Sequence, residues 1–301
     1  MIHPSLPSSP RPSLADAVDQ VRTTGKADFL LASGQVAKLT RVKLLQNYEA
    51  ILRMAGIEQT LRERVGCAPG SESLRIANEN LSKYVGVRGF WILPLGELIK
   101  LANRKQAIPA DVLKRVADLK PIRDAVMHGE TDTFGTKTRK AIRETYELLL
   151  KHYPHTPPLD LRARIEAVTH AKVDGYQAEE MLITLATLYR SIEAEVEIRA
   201  AMKEAGVFKG TLPLVESIFE LKRASSAHEK LFRRGDLAWK FRACALVRNH
   251  LVHGTIIVPT GRQTRVVEDA YRLLGQAIAE LRFIKNGGTT ATGEFRNGIN
   301  F

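Results

Sequence analysis

Two segments of this sequence combine residue types that could cleave a phosphodiester bond. Each segment begins with an arginine followed by an aspartate or asparagine. A histidine lies five residues after the arginine, and a glycine follows the histidine. The segments are Arg123-Asp124-Ala125-Val126-Met127-His128-Gly129 and Arg248-Asn249-His250-Leu251-Val252-His253-Gly254. A histidine titrates near neutral pH and can transfer a proton, and a guanidinium can donate two hydrogen bonds to phosphate oxygens as their negative charge grows.

The chemistry that suits these groups is the cleavage of RNA without a metal or cofactor. One histidine would take the proton of a ribose 2′-OH, and the other would protonate the leaving 5′-oxygen. Such a reaction leaves 2′,3′-cyclic phosphate and 5′-OH ends. Two facing segments would thus supply a base, an acid and two guanidinium groups around one phosphate. The candidate catalytic residues are Arg123, Asp124, His128, Arg248, Asn249 and His253.

The spacing of arginine and histidine is informative because it recurs in register. Arg223 and His228 have the same spacing but no polar residue after the arginine and no counterpart, so we interpret that pair as accidental. In the two segments the arginines are 125 residues apart (248 − 123), and so are the histidines (253 − 128). Internal repetition at this distance indicates a duplicated domain. The offset continues downstream in Ile142/Val267, Tyr146/Tyr271, Leu148/Leu273 and Leu149/Leu274.

The duplication and the proline and glycine clusters predict the division of the chain. Residues 93–99 resemble residues 212–218 at an offset of 119 (212 − 93), so six additional residues (125 − 119) are expected in the second copy, near 225–230. A Pro-rich stretch lies between the copies. We predict a flexible arm over 1–12, a first helical domain over 13–153, a linker over 154–159, a second helical domain over 160–285 and a flexible tail over 286–301.

The pattern of apolar residues predicts an all-α fold of two tandem helical bundles. No stretch forms a convincing strand; residues 255–258 are the best candidate for one, with a short extended loop ended by Pro259 as the alternative. The first copy has room for an extra helix or loop between residues 71 and 90. Apolar residues recur at helical spacing over 37–54, 141–153, 178–205 and 266–284.

Each candidate segment is expected at the end of a helix, because helices commonly stop at a glycine. Positions i and i+4 are neighbours on a helix, so we expect Asp124 to contact His128, and Asn249 to contact His253, and to fix the tautomer of each ring. The negative end of the helix dipole favours the protonated form of a histidine in the last turn. His250 lies on another face and is interpreted as a bystander.

The charge of the chain points to a polyanionic partner. The sequence has 45 lysines and arginines against 33 acidic residues, a formal net charge of +12 and an isoelectric point near 9.8. We therefore expect RNA as the partner, bound on a folded surface because no long basic tract occurs. A generally basic surface with no such partner is the alternative. The candidate RNA-binding residues are Arg139, Lys140, Arg143, Arg262, Arg265 and Arg272.

Other features of the sequence bear on where the protein resides. Two cysteines, Cys67 and Cys244, do not make a disulfide framework, which favours a reducing, cytoplasmic compartment. No apolar run approaches the ~18 residues of a membrane span, so no membrane partner is expected. The Ser- and Pro-rich start lacks the apolar core of a secretory signal.

The two segments make the chain resemble the HEPN (higher eukaryotes and prokaryotes nucleotide-binding) superfamily. Its signature is Arg-x4–6-His in a helical bundle, usually with Asn, Asp or His after the arginine. The resemblance implies a metal-independent endoribonuclease in which two domains pool their motifs, here as a pseudodimer within one chain. It also implies a role as a toxin or phage-defence effector, with an antitoxin or regulatory protein as partner. Association into a homodimer is left open.

Two other interpretations of the sequence are kept. The chain could be a non-catalytic helical module that binds RNA, a nucleotide or a partner protein. It could also be a structural or interaction protein, in which case the arginines and histidines of the two segments would be buried in salt bridges.

Overall fold

We analysed a computed structural model of the chain. It describes residues 13–30, 36–67, 79–86, 93–129, 133–171, 175–207, 217, 220, 221, 223, 224 and 237–285. These residues are mostly helical, which confirms the all-α class. The helices are α1 (Leu14–Thr24), α2 (Arg41–Arg64), α3 (Glu79–Val85), α4 (Leu95–Arg104), α5 (Ala110–Met127), α6 (Thr136–His152), α7 (Leu159–His170), α8 (Tyr176–Glu204), α9 (Leu237–Val252) and α10 (Gly261–Lys285).

The helices predicted over 141–153, 178–205 and 266–284 correspond to α6, α8 and α10. The extra element expected between residues 71 and 90 includes α3. Three further expectations, the arm over 1–12, the tail over 286–301 and the insertion near 225–230, lie outside the described residues, as does most of the 212–218 repeat. In the described part of the chain, no helix is both long and apolar enough to cross a membrane.

The prediction about strands was wrong. A two-stranded antiparallel hairpin joins β1 (Lys26–Leu30) to β2 (Val36–Thr40), whereas residues 255–258 form no strand. In β1, Ala27 and Phe29 are buried while their neighbours are exposed, the alternation of a sheet with one covered face. The helix expected to begin at 37 therefore begins at Arg41, where the Thr40 hydroxyl caps it by accepting from the Lys43 amide at 3.3 Å.

Two long helices, α2 and α8, form the centre of the molecule. Every residue of α2 from Asn47 to Arg62 is buried, because other helices pack on all sides of it. Helices α6 and α7 pack against α2, and α1, α9 and α10 pack against α8. Any polar side chain on these stretches must therefore find its partner inside the protein.

The first helix of each predicted domain packs against the long helix of the other. Helix α1 lies along α8, and α7 lies along α2. Glu193 of α8 accepts hydrogen bonds from the Ser13 hydroxyl (2.7 Å) and from the amides of Leu14 (2.6 Å) and Ala15 (3.1 Å), which satisfies the first turn of α1. Extensive contacts thus cross the boundary that the sequence predicts at 154–159.

Helices α5 and α9 end at the two candidate segments, as the sequence predicts. His128 follows α5 directly, and the next residue, Gly129, has a φ of 71°. Gly254 has a φ of 68°, and a Cβ atom there would lie 2.8 Å from the Cβ of Ala55 on α2. A Cβ on Gly129 would collide with Val196 on α8. Each glycine thus permits both a left-handed turn and a close approach to a central helix.

We predict that Gly254→Ala destabilises the protein more than Gly25→Ala. Both glycines have positive φ, so alanine costs about 1–2 kcal/mol at either site. A Cβ at Gly25 meets nothing within 4 Å, whereas one at Gly254 meets Ala55. Urea unfolding of both variants measures the difference, and equal losses would show that close packing at Gly254 is unimportant.

Candidate functional site

Two glutamates that the sequence analysis did not identify hold the candidate residues together. Glu58 lies on α2 and Glu195 on α8, and the side chain of each is only 1% exposed. A buried carboxylate is stable only when charged or hydrogen-bonding groups surround it. In both cases the candidate arginines and histidines provide that environment.

The first cluster surrounds Glu195. Its Oε1 accepts a hydrogen bond from His128 Nδ1 at 2.7 Å, and its Oε2 lies 2.9 Å from Arg248 Nη2. Arg199, one helical turn further along α8, donates to Oε1 from Nη2 at 2.7 Å. One carboxylate therefore contacts the histidine of the first segment and the arginine of the second.

The second cluster surrounds Glu58 in the reciprocal way. Its Oε2 accepts from Arg123 Nη2 at 3.1 Å, and its Oε1 lies 2.6 Å from His253 Nδ1. Arg62, one turn further along α2, donates to Oε1 at 2.5 Å. The contact with His253 is close enough for an ion pair but lacks hydrogen-bond geometry.

The two segments also contact each other directly. Arg248 Nη2 donates to the backbone carbonyl of Met127 at 2.6 Å and lies 3.4 Å from His128 Nδ1. On the other side, Gln59 of α2 donates to the carbonyl of His253 at 2.6 Å. The ends of α5 and α9 therefore meet, and the structure brings the candidate arginines and histidines into one connected network.

Contrary to our prediction, the polar residue after each arginine does not orient the histidine. Asp124 instead accepts from Arg123 Nη1 at 3.0 Å and from Lys120 Nζ at 2.5 Å. Asn249 Oδ1 accepts from Arg248 Nη1 at 3.2 Å. The histidine rings turn toward the central helices because the buried carboxylates there need cationic or N–H partners.

The candidate side chains differ in their exposure to solvent. The His128 side chain is 33% exposed and Asp124 27%, whereas His253 is 12% exposed. The side chains of Arg123 and Arg248 are about nine-tenths buried. A ligand that approaches the network from outside would meet His128 first.

Both glutamates are held in the ionised form. Burial alone would raise the pKa of Glu195, but the charges of Arg248, His128 and Arg199 outweigh this effect and lower that pKa to about 2. Burial opposes ionisation of Glu58 as well, yet the close contact of His253 and the charges of Arg123 and Arg62 place the pKa of Glu58 well below its usual range. The network is thus built on two buried negative charges.

His253, the less exposed of the two histidines, is favoured in its neutral form. Desolvation lowers the pKa of His253, and the nearby Arg123 and Arg62 lower it further, although Glu58 acts in the opposite direction. The helix dipole was expected to favour the charged ring, but in His253 burial has the larger effect on the pKa. A neutral imidazole can accept a proton, which is the form that a general base requires.

The remaining candidates lie elsewhere. Arg139, Lys140 and Arg143 line one groove between α2 and α6. Arg262 lies over the ring of Tyr84, Arg272 contacts Asp269 at 3.8 Å, and Arg265 is exposed. His250 is buried with its Nδ1 2.6 Å from the Thr255 hydroxyl, consistent with a bystander.

A signal for the glutamates was present in the sequence. Glu58 and Arg62 form Glu-x3-Arg, and Glu195 and Arg199 repeat it 137 residues later (195 − 58 and 199 − 62). This offset differs from the 125 of the candidate segments, so alignment on those segments alone does not reveal it.

Comparisons with protein-family models, with curated proteins and with solved structures found no match to this chain. Among the described residues, no group of three or more His, Cys, Asp or Glu side chains could hold a metal ion.

We predict that Glu195→Gln removes a stabilisation that depends on pH. The folded pKa of Glu195 is depressed from 4.5 to about 2, so its stabilisation is present above pH 4.5 and is lost as the pH falls toward 2. The difference in unfolding free energy between parent and variant should shrink by about 2–3 kcal/mol over that window. Glu144→Gln, on the surface, serves as the control.

Unfolding by urea at several pH values measures this difference. A difference for Glu195→Gln that stays constant from pH 5 to pH 2 would contradict the ionised, buried carboxylate. The control variant should differ little from the parent at every pH, because surface ion pairs contribute little to stability.

Proposed function

We propose that this protein is a metal-independent endoribonuclease of the HEPN type, in which the two halves of the chain form an intramolecular pseudodimer. The observation that carries the proposal is the reciprocal sharing of carboxylates. Glu58 joins the arginine of the first segment to the histidine of the second, and Glu195 joins the arginine of the second to the histidine of the first. A composite site for one phosphate requires this kind of convergence.

The geometry supports different roles for the two histidines. His253 is the less exposed of the two histidines and is favoured in the neutral form, so it suits the base that takes the proton of the 2′-OH. The 2′-oxygen then attacks phosphorus, and the bond from phosphorus to the 5′-oxygen breaks. His128 is the more exposed ring, with Nδ1 held by Glu195, and it suits the acid that protonates the 5′-oxygen through Nε2.

The arginines would stabilise the charge that develops on the phosphate. Each already contacts a buried carboxylate through Nη2 and the neighbouring Asp124 or Asn249 through Nη1. A guanidinium has five donor hydrogens, so these contacts fix its plane and leave donors for a phosphate oxygen. Asp124 and Asn249 are thus positioning residues.

A second function is favoured by a specific observation. Both arginines are about nine-tenths buried in salt bridges, which is what a purely structural network would show. In that case the chain is a structural or interaction protein, for which such burial was predicted, or a helical module that binds RNA, a nucleotide or a partner protein without cleaving RNA. The two functions differ in whether an intact RNA is converted to products.

We also propose a biological setting for the nuclease. Unrestrained RNA cleavage is harmful to the cell that makes the enzyme, so this activity suits a toxin or phage-defence effector of the cytoplasm, restrained by an antitoxin or regulatory protein. Growth of cells that express the parent, compared with cells that express His128→Ala at equal protein level, tests this setting. Equal growth with an active parent enzyme would count against it.

We predict that the parent cleaves RNA in the presence of EDTA and leaves 2′,3′-cyclic phosphate and 5′-OH ends. His128→Ala and His253→Ala should each lower the rate by about 100-fold or more, because general acid and base catalysis contribute about that much. His170→Ala, at the exposed end of α7, is the matched control and should retain the parent rate.

Denaturing gels with end-group analysis measure both rate and product. Cleavage that persists in the double variant His128→Ala/His253→Ala would refute the composite site. RNA binding without cleavage by the well-folded parent would favour the second function.

A further inference from the structure

A groove between α2 and α6 combines four cationic side chains with a single carboxylate. It encloses a cavity of about 280 Å³. Lys140 and Arg143 stand at its exposed edge, with side chains 77% and 53% accessible. The residues that carry charge or hydrogen-bonding groups there include Glu49, Arg53, Thr136, Arg139, Lys140 and Arg143.

The one carboxylate does not neutralise these cations. Glu49 is shared by Arg53, at 2.9 Å, and by Arg143, at 3.3 Å, and Arg53 also lies 3.9 Å from the exposed Glu147. Arg139 donates only to uncharged acceptors, including the Phe134 carbonyl at 2.7 Å. Lys140 lies 3.8 Å from the exposed Glu144, a weak pairing. The groove therefore keeps an excess of positive charge in a partly enclosed space, where it is less screened than on an open surface.

The corresponding place in the second half of the chain lacks this excess. The offset of 137 relates Arg53 to Arg190 (53 + 137), and the offset of 125 relates Arg143 to Glu268 (143 + 125). Arg190 contacts Glu268 at 3.1 Å and also pairs with Asp19 and Asp16 of α1. Among the described residues, one arginine thus meets three carboxylates in the second half, whereas four cationic side chains share three carboxylates at the groove.

This groove is separate from the network of the candidate segments. Arg53 precedes Glu58 by five residues on α2, which corresponds to ~7.5 Å along the axis and about 140° around it. Glu49 and Arg53 therefore face away from Glu58. A phosphate in the groove would be a different phosphate from the one that the histidines could attack.

We propose that the groove between α2 and α6 binds a phosphate of single-stranded RNA, outside the bond that is cleaved. Arg139, Lys140 and Arg143 would contact the phosphate oxygens, with Arg53 at the base of the groove and the Thr136 hydroxyl on its exposed side. Guanidinium and ammonium groups bind phosphate through charge-assisted hydrogen bonds, and sequence-independent binding follows from contacts to the backbone alone. This inference rests on the proposed function for its choice of RNA.

Binding can be tested without cleavage. The inactive variant His128→Ala/His253→Ala is titrated into a labelled oligouridine, and fluorescence anisotropy is followed at several KCl concentrations. Lys140→Ala/Arg143→Ala in that background removes two cations from the groove, and Lys114→Ala/Arg115→Ala removes two exposed cations from α5 as a matched control. Thermal unfolding checks that each variant is folded.

We expect the groove variant to bind RNA at least about fivefold more weakly than the control variant. The slope of log K against log salt should become shallower by about 1.4, or about 0.7 for each lost phosphate contact. Arg143→Glu, which gives the groove the acid found at Glu268, should weaken binding further. Equal losses in the groove and control variants, or no loss in either, would overturn the proposal.

The source of the phosphate is tested with adenosine 5′-monophosphate. If adenosine 5′-monophosphate competes with oligouridine for the parent groove but not for Lys140→Ala/Arg143→Ala, the groove is a phosphate site that a free nucleotide can also fill. If the parent cleaves no RNA but its RNA binding depends on the groove, the phosphate site is supported and the nuclease proposal is refuted. If the parent cleaves RNA but the groove variant binds RNA as well as the control does, the nuclease proposal is supported and the phosphate site is refuted.

Discussion

The structure depends on two buried carboxylates that are shared across the molecule. Glu58 and Glu195 sit on the central helices, where no water can solvate them, so each must be surrounded by cations and N–H groups. Each finds an arginine from its own half of the chain and a histidine from the other. Removing one partner of such a buried pair typically costs about 3–5 kcal/mol, because the remaining charge has no compensation. The ends of α5 and α9 are therefore tied to both central helices, and hence to each other.

The same requirement explains the local structure around the two segments. A histidine can reach a carboxylate on the opposing central helix only if its own helix stops beside it, and Gly129 and Gly254 permit that stop. The absence of a Cβ also lets the backbone approach Ala55 and Val196 closely. The exchange of α1 and α7 between the halves adds further contacts of the same kind. Packing, helix termination and ion pairing all join the halves at one place.

The sequence predicted the helices and the ends of the motif helices because periodicity and glycine are local signals. It did not predict the two-stranded sheet of β1 and β2, where a short alternation of buried and exposed residues lies beside a stronger helical pattern. Nor did it predict that Glu195, rather than Asp124, would bind His128. Helical spacing makes Asp124 the nearest neighbour along the chain, but the demand of a buried carboxylate arises only once α8 is in place. Contacts that depend on tertiary burial cannot be inferred from spacing alone.

The two halves agree where side chains are buried and differ where they meet solvent. Both clusters contain a glutamate, two arginines and a histidine, because any change there would leave a buried charge unpaired. The surfaces are free of that constraint. The His128 side chain is about one-third exposed, whereas its counterpart His253 is mostly covered. Arg143 lines a cationic groove, whereas its counterpart Glu268 pairs with Arg190. Under the proposed function, a site with two identical halves would have no polarity and would accept an RNA strand, which has a direction, in two equivalent orientations. Divergence of the exposed residues around a constrained buried network would give the site that polarity, with binding and protonation concentrated on the side of the first half.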